Sequence, residues 1–161
     1  MDCSRVVVAV VLCTTVACGG SELAAPRAGP PANVVMTTVP ATSLQAGAAG
    51  TPMVVRVTDA AGAAVSAATV TFTAIGVGSV NPVTVPSDAS GEARTMVVVD
   101  TTIGAVTIVA SVAGSSATAR TTINVTAGPL ATLIVTPPTA RLFYAGDSVR
   151  LSTAATDRFG N

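Results

Sequence analysis

Residues 54–128 read VVRVTDAAGAAVSAATVTFTAIGVGSVNPVTVPSDASGEARTMVVVDTTIGAVTIVASVAGSSATARTTINVTAG. Valine, threonine, isoleucine and alanine dominate, a composition that suits strands more than helices. Met53, Val55 and Val57 alternate with Val54, Arg56 and Thr58. Val70, Phe72 and Ala74 alternate with threonines 69, 71 and 73, and Val106, Ile108, Ala110 and Val112 line one face of a longer run. Thr121, Ile123 and Val125 alternate with Arg120, Thr122, Asn124 and Thr126. Period two repeated over several segments is the mark of sheets with one buried face. The breaks are as legible: Asp59-Ala60-Ala61-Gly62 and Asp88-Ala89-Ser90-Gly91 are D-x-x-G turns, and Gly114-Ser115-Ser116 is a further hairpin signal. Aspartate accepts backbone N–H groups two residues on, and glycine takes the left-handed conformation that closes such turns. The reading predicts strands near 34–38, 51–58, 68–74, 82–86, 93–100, 105–113 and 117–126. About seven short strands with this punctuation make an all-β, antiparallel sandwich. Its core is built from small aliphatic side chains and Phe72, so it is shallow.

Composition limits the chemistry. The chain has 161 residues, half of them apolar and one tenth charged, with eight arginines, eight acids and no lysine, histidine or tryptophan. Zero net charge argues against nucleic acid as a partner. The missing histidine removes the commonest metal ligand and general base. Serine nucleophiles lack a partner base, and no G-x-S-x-G occurs. Gly76-Val77-Gly78 has no G-x-G-x-x-G or G-K-[ST] around it, so it reads as a link between strands. The acids beyond the leader are Glu22, Asp59, Asp88, Glu92, Asp100, Asp147 and Asp157. Asp59, Asp88 and Asp157 sit in turns, where a calcium ion would seek oxygen ligands. No D-x-D-x-D-G run accompanies them, and turn capping is the better reading. Phe143 and Tyr144 are adjacent and would face opposite sides of a strand; unfinished core explains them better than a binding platform. Asn124-Val125-Thr126 matches a glycosylation acceptor by chance. The expectation is a protein that is not an enzyme, with no catalytic residue, no metal and no cofactor.

The N-terminus reads as an address. Residues 6–12 are all apolar and 13–17 prolong the run, too short for a bilayer-spanning helix but long enough for a signal-peptide core. Thr15-Val16-Ala17-Cys18-Gly19-Gly20-Ser21 resembles a bacterial lipoprotein lipobox, although Thr15 stands where that family prefers leucine. The resemblance implies cleavage after residue 17 and a lipid on Cys18. The competing reading is an ordinary secretory signal cut nearby. All three cysteines lie at positions 3, 13 and 18, so cleavage leaves no pair for a disulfide. Residues 18–33 then form a lipid anchor and a proline-rich flexible tether. The expected partner is the membrane, reached through lipid, at the outer membrane or cell surface; any protein partner is unknown.

A second copy begins near the end of the chain. Val57-Thr58-Asp59 matches Ala155-Thr156-Asp157, and Pro40, Leu44 and Gly62 match Pro138, Leu142 and Gly160 at a shift of 98. That period is a whole sandwich domain. Residues 34–128 are read as one domain and 129–161 as an incomplete repeat holding its first two strands. So short a piece buries no core of its own. It is read as a fragment, either of a longer tandem-repeat protein or of a gene that has lost its downstream part, the alternative being a tail that lends a strand to the first domain or stays loose.

Several pieces of the chain are similar to group-1 bacterial immunoglobulin-like domains of invasin- and intimin-type surface proteins. They are V-T-D-A-x-G at 57–62, A-T-V-T-F-T at 68–73, S-D-A-S-G-E-A at 87–93, T-x-x-G-x-V-T-I-x-A at 102–111 and V-T-A-G at 125–128. The resemblance implies a seven-stranded immunoglobulin-like sandwich outside the cell, serving as a spacer or an adhesion module. It carries over no binding residue. The alternative is the accessory N-terminal region of a longer secreted enzyme or binding protein whose active part lies beyond residue 161.

Overall fold

The computed structural model describes residues 27–136, 144–146 and 148–161. Among them every regular element is a strand: β1 Asn33–Thr38, β2 Ser43–Gln45, β3 Thr51–Thr58, β4 Thr69–Gly76, β5 Gly78–Asn81, β6 Thr84–Pro86, β7 Glu92–Val99, β8 Gly104–Val112, β9 Thr118–Thr126, β10 Leu130–Thr136 and β11 Ser152–Asp157.

β1 to β9 form two facing sheets, ordered β1-β3-β7-β5 and β2-β9-β8-β4-β6. All pairings are antiparallel except β2 with β9. This is the immunoglobulin-like arrangement, with four strands of one sheet facing the three long strands β4, β8 and β9 of the other. The chain between β1 and β3 crosses from one sheet to the other, and β2 closes the free edge of β9. β2 and β6 form the edges of the larger sheet, each only three residues long. Short edge strands limit pairing with other chains.

Alternation decides what is buried. Met53, Val55, Val57, Ala93 and Val97 of the first sheet meet Val70, Phe72, Val106, Ile108, Ala110 and Ile123 of the second. Phe72 is fully enclosed, as its place in the alternation predicts. Four polar side chains are buried among the described residues, Asp59, Ser87, Thr95 and Asp157, and the two hydroxyls among them are satisfied within the sandwich. Thr95 donates its hydroxyl to the Pro82 carbonyl at 2.8 Å. Ser87 donates to the Val65 carbonyl at 2.7 Å and accepts the Ala68 N–H at 2.9 Å. Ser87 thereby ties the β3–β4 connection to the end of β6.

The structure differs from the sequence reading in several places. The sandwich has nine strands rather than about seven, because β2 and β5 are too short to show a period. The strand expected at 82–86 narrows to β6, and β5 occupies 78–81. Val54, on the outward phase of β3, is also buried, with Thr38 and Arg94 as its cross-strand partners on either side. Part of the segment read as a flexible tether belongs to the fold. Ala28 packs against the core, Gly29 donates its N–H to Asp59, and the Ala32 N–H bonds the Thr58 carbonyl.

β10 and β11 form a separate two-stranded sheet and lend no strand to the sandwich. Their pairing repeats that of β1 with β3. Val34↔Val57 and Met36↔Val55 become Leu133↔Ala155 and Val135↔Thr153. The repeat extends to Ala28-Gly29-Pro30, which recurs as Ala127-Gly128-Pro129. The matching residues Pro138 and Leu142 lie outside the described residues. Leu133, Val135 and Leu151 occupy positions whose first-copy counterparts, Val34, Met36 and Met53, pack into the core, yet all three are exposed.

Candidate functional site

The loop aspartates act as backbone clamps. Asp59 closes the turn after β3: Oδ1 accepts the N–H groups of Ala61 at 2.9 Å and Ala63 at 2.8 Å, and Oδ2 accepts that of Gly29 at 2.8 Å. Asp157 does the same after β11. Its Oδ1 accepts Phe159 and Asn161, both at 2.9 Å, and its Oδ2 accepts Gly128 at 2.8 Å. Each aspartate therefore fastens the chain entering its copy to the end of that copy's second long strand. Gly62 and Gly160 close the two turns at φ +85° and +87°. Asp88 is simpler, its Oδ1 accepting the Ser90 hydroxyl at 2.6 Å and the N–H groups of Ser90 and Glu92.

These donors stabilise the ionised carboxylates. The Gly29 N–H lowers the Asp59 pKa most, the Ser90 hydroxyl that of Asp88, and the Asn161 carboxamide that of Asp157. Burial opposes the shift in each case and loses. The carboxylates face N–H and O–H donors instead of one another. Among the described residues no group of three acids or cysteines converges in a way that could hold a metal ion.

Cys18 and Glu22 lie outside the described residues, as do Phe143 and Asp147. Glu92 pairs with Arg94 at 2.6 Å on the surface. The backbone of Asp100 bonds Val77 and Gly47. Gly76 and Gly78 lie where the chain turns from β4 into β5. A Cβ on Gly76 would run into the Ala105 carbonyl, and one on Gly78 would approach the Val98 carbonyl at 2.9 Å. Close backbone packing thus explains both glycines. Tyr144 is exposed and lies outside any strand. Asn124 is an exposed β9 residue.

Two clefts stand out among the described residues. One, about 300 Å³, lies over Phe72, Thr73 and Val80 between β4 and β5. The other, about 430 Å³, separates the sandwich from the β10–β11 sheet, with Gln45, Gly47, Gly128 and Phe159 in its walls. No carboxylate lines either one. Sequence reasoning missed the second cleft, because its walls come from three segments far apart in the chain. The aromatic at position 159, inside a D-x-x-G turn, is the signal that could have raised it.

No family model and no curated protein matches the sequence. Solved structures do share its fold. FdeC, an Escherichia coli adhesin, is 18% identical with a TM-score of 0.53, over 80% of this chain and 41% of that one. Invasin, a bacterial integrin-binding protein, is 18% identical with a TM-score of 0.52, over 80% of this chain and 27% of that one. A glycosyl hydrolase family 2 member from Bacteroides cellulosilyticus is 15% identical with a TM-score of 0.51, over 62% of this chain and 15% of that one. The chain spans less than half the length of each. These likenesses establish an all-β, immunoglobulin-like fold of the kind found in bacterial surface adhesins.

Proposed function

We propose that the chain is a non-enzymatic cell-envelope protein, anchored by lipid on Cys18, whose immunoglobulin-like module stands off the membrane as a spacer or adhesion unit. The observation that carries this reading is the head-to-tail repetition of one clamp. Asp59 and Asp157 fasten successive copies in the same way, the construction of a rod assembled from modules. The mechanism is mechanical: antiparallel ladders share load along the sandwich, and end loops and strand edges make contacts. Residues 129–161 are, in this reading, the opening strands of the next module. Protease treatment of intact cells tests it. The module should be shaved from cells carrying the wild-type chain, and Cys18→Ala should release it into the soluble fraction. Full protection from protease in intact cells would refute exposure at the surface.

A second reading has its own support. The match to 15% of a glycosyl hydrolase chain has the same fold serving as one segment of a larger enzyme. In that case the module is accessory to a catalytic part beyond residue 161. Coding sequence that runs on into a histidine- and tryptophan-rich globular segment would favour it over further repeats.

A further inference from the structure

The two aspartate turns share a backbone and differ in what they present. In the first copy the positions after Asp59 hold Ala61 and Ala63; in the second the equivalent positions hold Phe159 and Asn161. These two side chains reach back to the sandwich. The Phe159 ring lies against Gly47, so closely that a Cβ there would stand 2.5 Å from Cζ and 2.7 Å from Cε2. Gly47 is held by its N–H on the Asp100 carbonyl at 2.9 Å, with φ +67°. The Arg158 guanidinium covers the ring at 4.4 Å from its centroid, a cation–π arrangement. Asn161 Nδ2 donates to the Thr101 carbonyl at 2.8 Å and also to both Asp157 oxygens, at 3.2 and 3.0 Å. One carboxamide therefore links the clamp of the second copy to the surface of the first.

The polarity follows from β3. Gly47 and Thr101 belong to the connections at the end of the sandwich where β3 begins, and the Asp59 turn closes the end where β3 finishes. The first copy therefore carries a socket at one end and, at the other, a turn of the same backbone with alanines in place of the plug. The arrangement is heterologous, a different surface on each side, which builds open linear arrays instead of closed dimers.

We infer that residues 157–161 are a docking plug, seated in a socket at Gly47 and Thr101, that fixes the angle between consecutive immunoglobulin-like copies. The partner the socket fits is a following copy with an aromatic residue two positions, and a carboxamide four positions, after the clamping aspartate. The alanine turn at 59–63 presents neither side chain. This inference rests on the joint geometry and not on the lipid anchor, so either can fail without the other.

Nuclear magnetic resonance of the isotope-labelled full chain in detergent micelles tests it, comparing wild type with Phe159→Leu and Asn161→Ala. In the wild type the Gly47 α-protons should show cross-relaxation to the Phe159 ring protons and a shift displaced from the ordinary glycine range, since the Cζ–Cε2 edge of the ring lies against them. Phe159→Leu should return them to the ordinary glycine range while signals from β4, β8 and β9 stay in place, showing that the sandwich is intact. Amides of β10 and β11 should tumble with the sandwich in the wild type and faster in both variants. No cross-relaxation between Gly47 and the Phe159 ring in the wild type would overturn the docking. A displaced Gly47 with independently tumbling β10 and β11 would overturn the fixed angle.

Discussion

Ser87→Ala removes one oxygen and leaves two backbone groups without partners. The hydroxyl lies in a buried site, donating to the Val65 carbonyl at 2.7 Å and accepting the Ala68 N–H at 2.9 Å. A buried backbone group stripped of its partner costs about 1–3 kcal/mol. Some water entry through the vacated volume offsets part of that for two groups, so the expected loss is about 2–4 kcal/mol. Against a total stability of about 5–15 kcal/mol for a domain, that is a large share. Urea unfolding followed by far-ultraviolet circular dichroism measures it, a suitable probe because the chain has one tyrosine and no tryptophan. The control is Ser90→Ala, whose hydroxyl bonds Asp88 on the exposed surface and whose loss should stay within about 0.5 kcal/mol. Equal midpoints for the two variants would refute the claim that Ser87 pins the β3–β4 connection.

Two glycines of similar backbone conformation should respond differently to alanine. Gly62 at φ +85° has open space around the added carbon, so Gly62→Ala should cost only the left-handed strain of about 1–2 kcal/mol. Gly91 at φ +77° would place that carbon 2.5 Å from the Val57 carbonyl, so Gly91→Ala should cost clearly more; equal melting losses would count against the packing described there. Acid should loosen the turns. Asp59, Asp88 and Asp157 are all held below the ordinary aspartate value of 3.8. A depressed folded-state pKa means that stability is fully present above 3.8 and drains as pH falls below it. Thermal unfolding from pH 6 down to about pH 2 should show that loss. The fall should be shallower in Asp59→Asn, and an unchanged slope would refute the clamp's contribution.

How much of this was legible beforehand differs by element. The long strands β3, β4, β8 and β9 declared themselves by alternation, because each has one buried face over eight or nine residues. β2 and β5, with three and four residues, are positioned by their neighbours and carry no period. The turn aspartates were readable as caps, but their second role was not. The link from Asp59 to Gly29 spans thirty positions, and nothing local in Ala28-Gly29-Pro30 announces a partner. Ser87 looked like one more polar turn residue, since its burial depends on strands brought together only by folding. Phe159 and Asn161 were similarly silent: a D-x-x-G signature describes the backbone of a turn, not what its outward side chains touch.

The proposed lipid on Cys18 is what holds the module to the membrane. Intact mass of the native product from the membrane fraction tests it most directly, measured beside Cys18→Ala. The expected product begins at Cys18 and carries a lipid-sized addition that disappears in the variant. An unlipidated product, cut elsewhere and equally soluble in both, would contradict it.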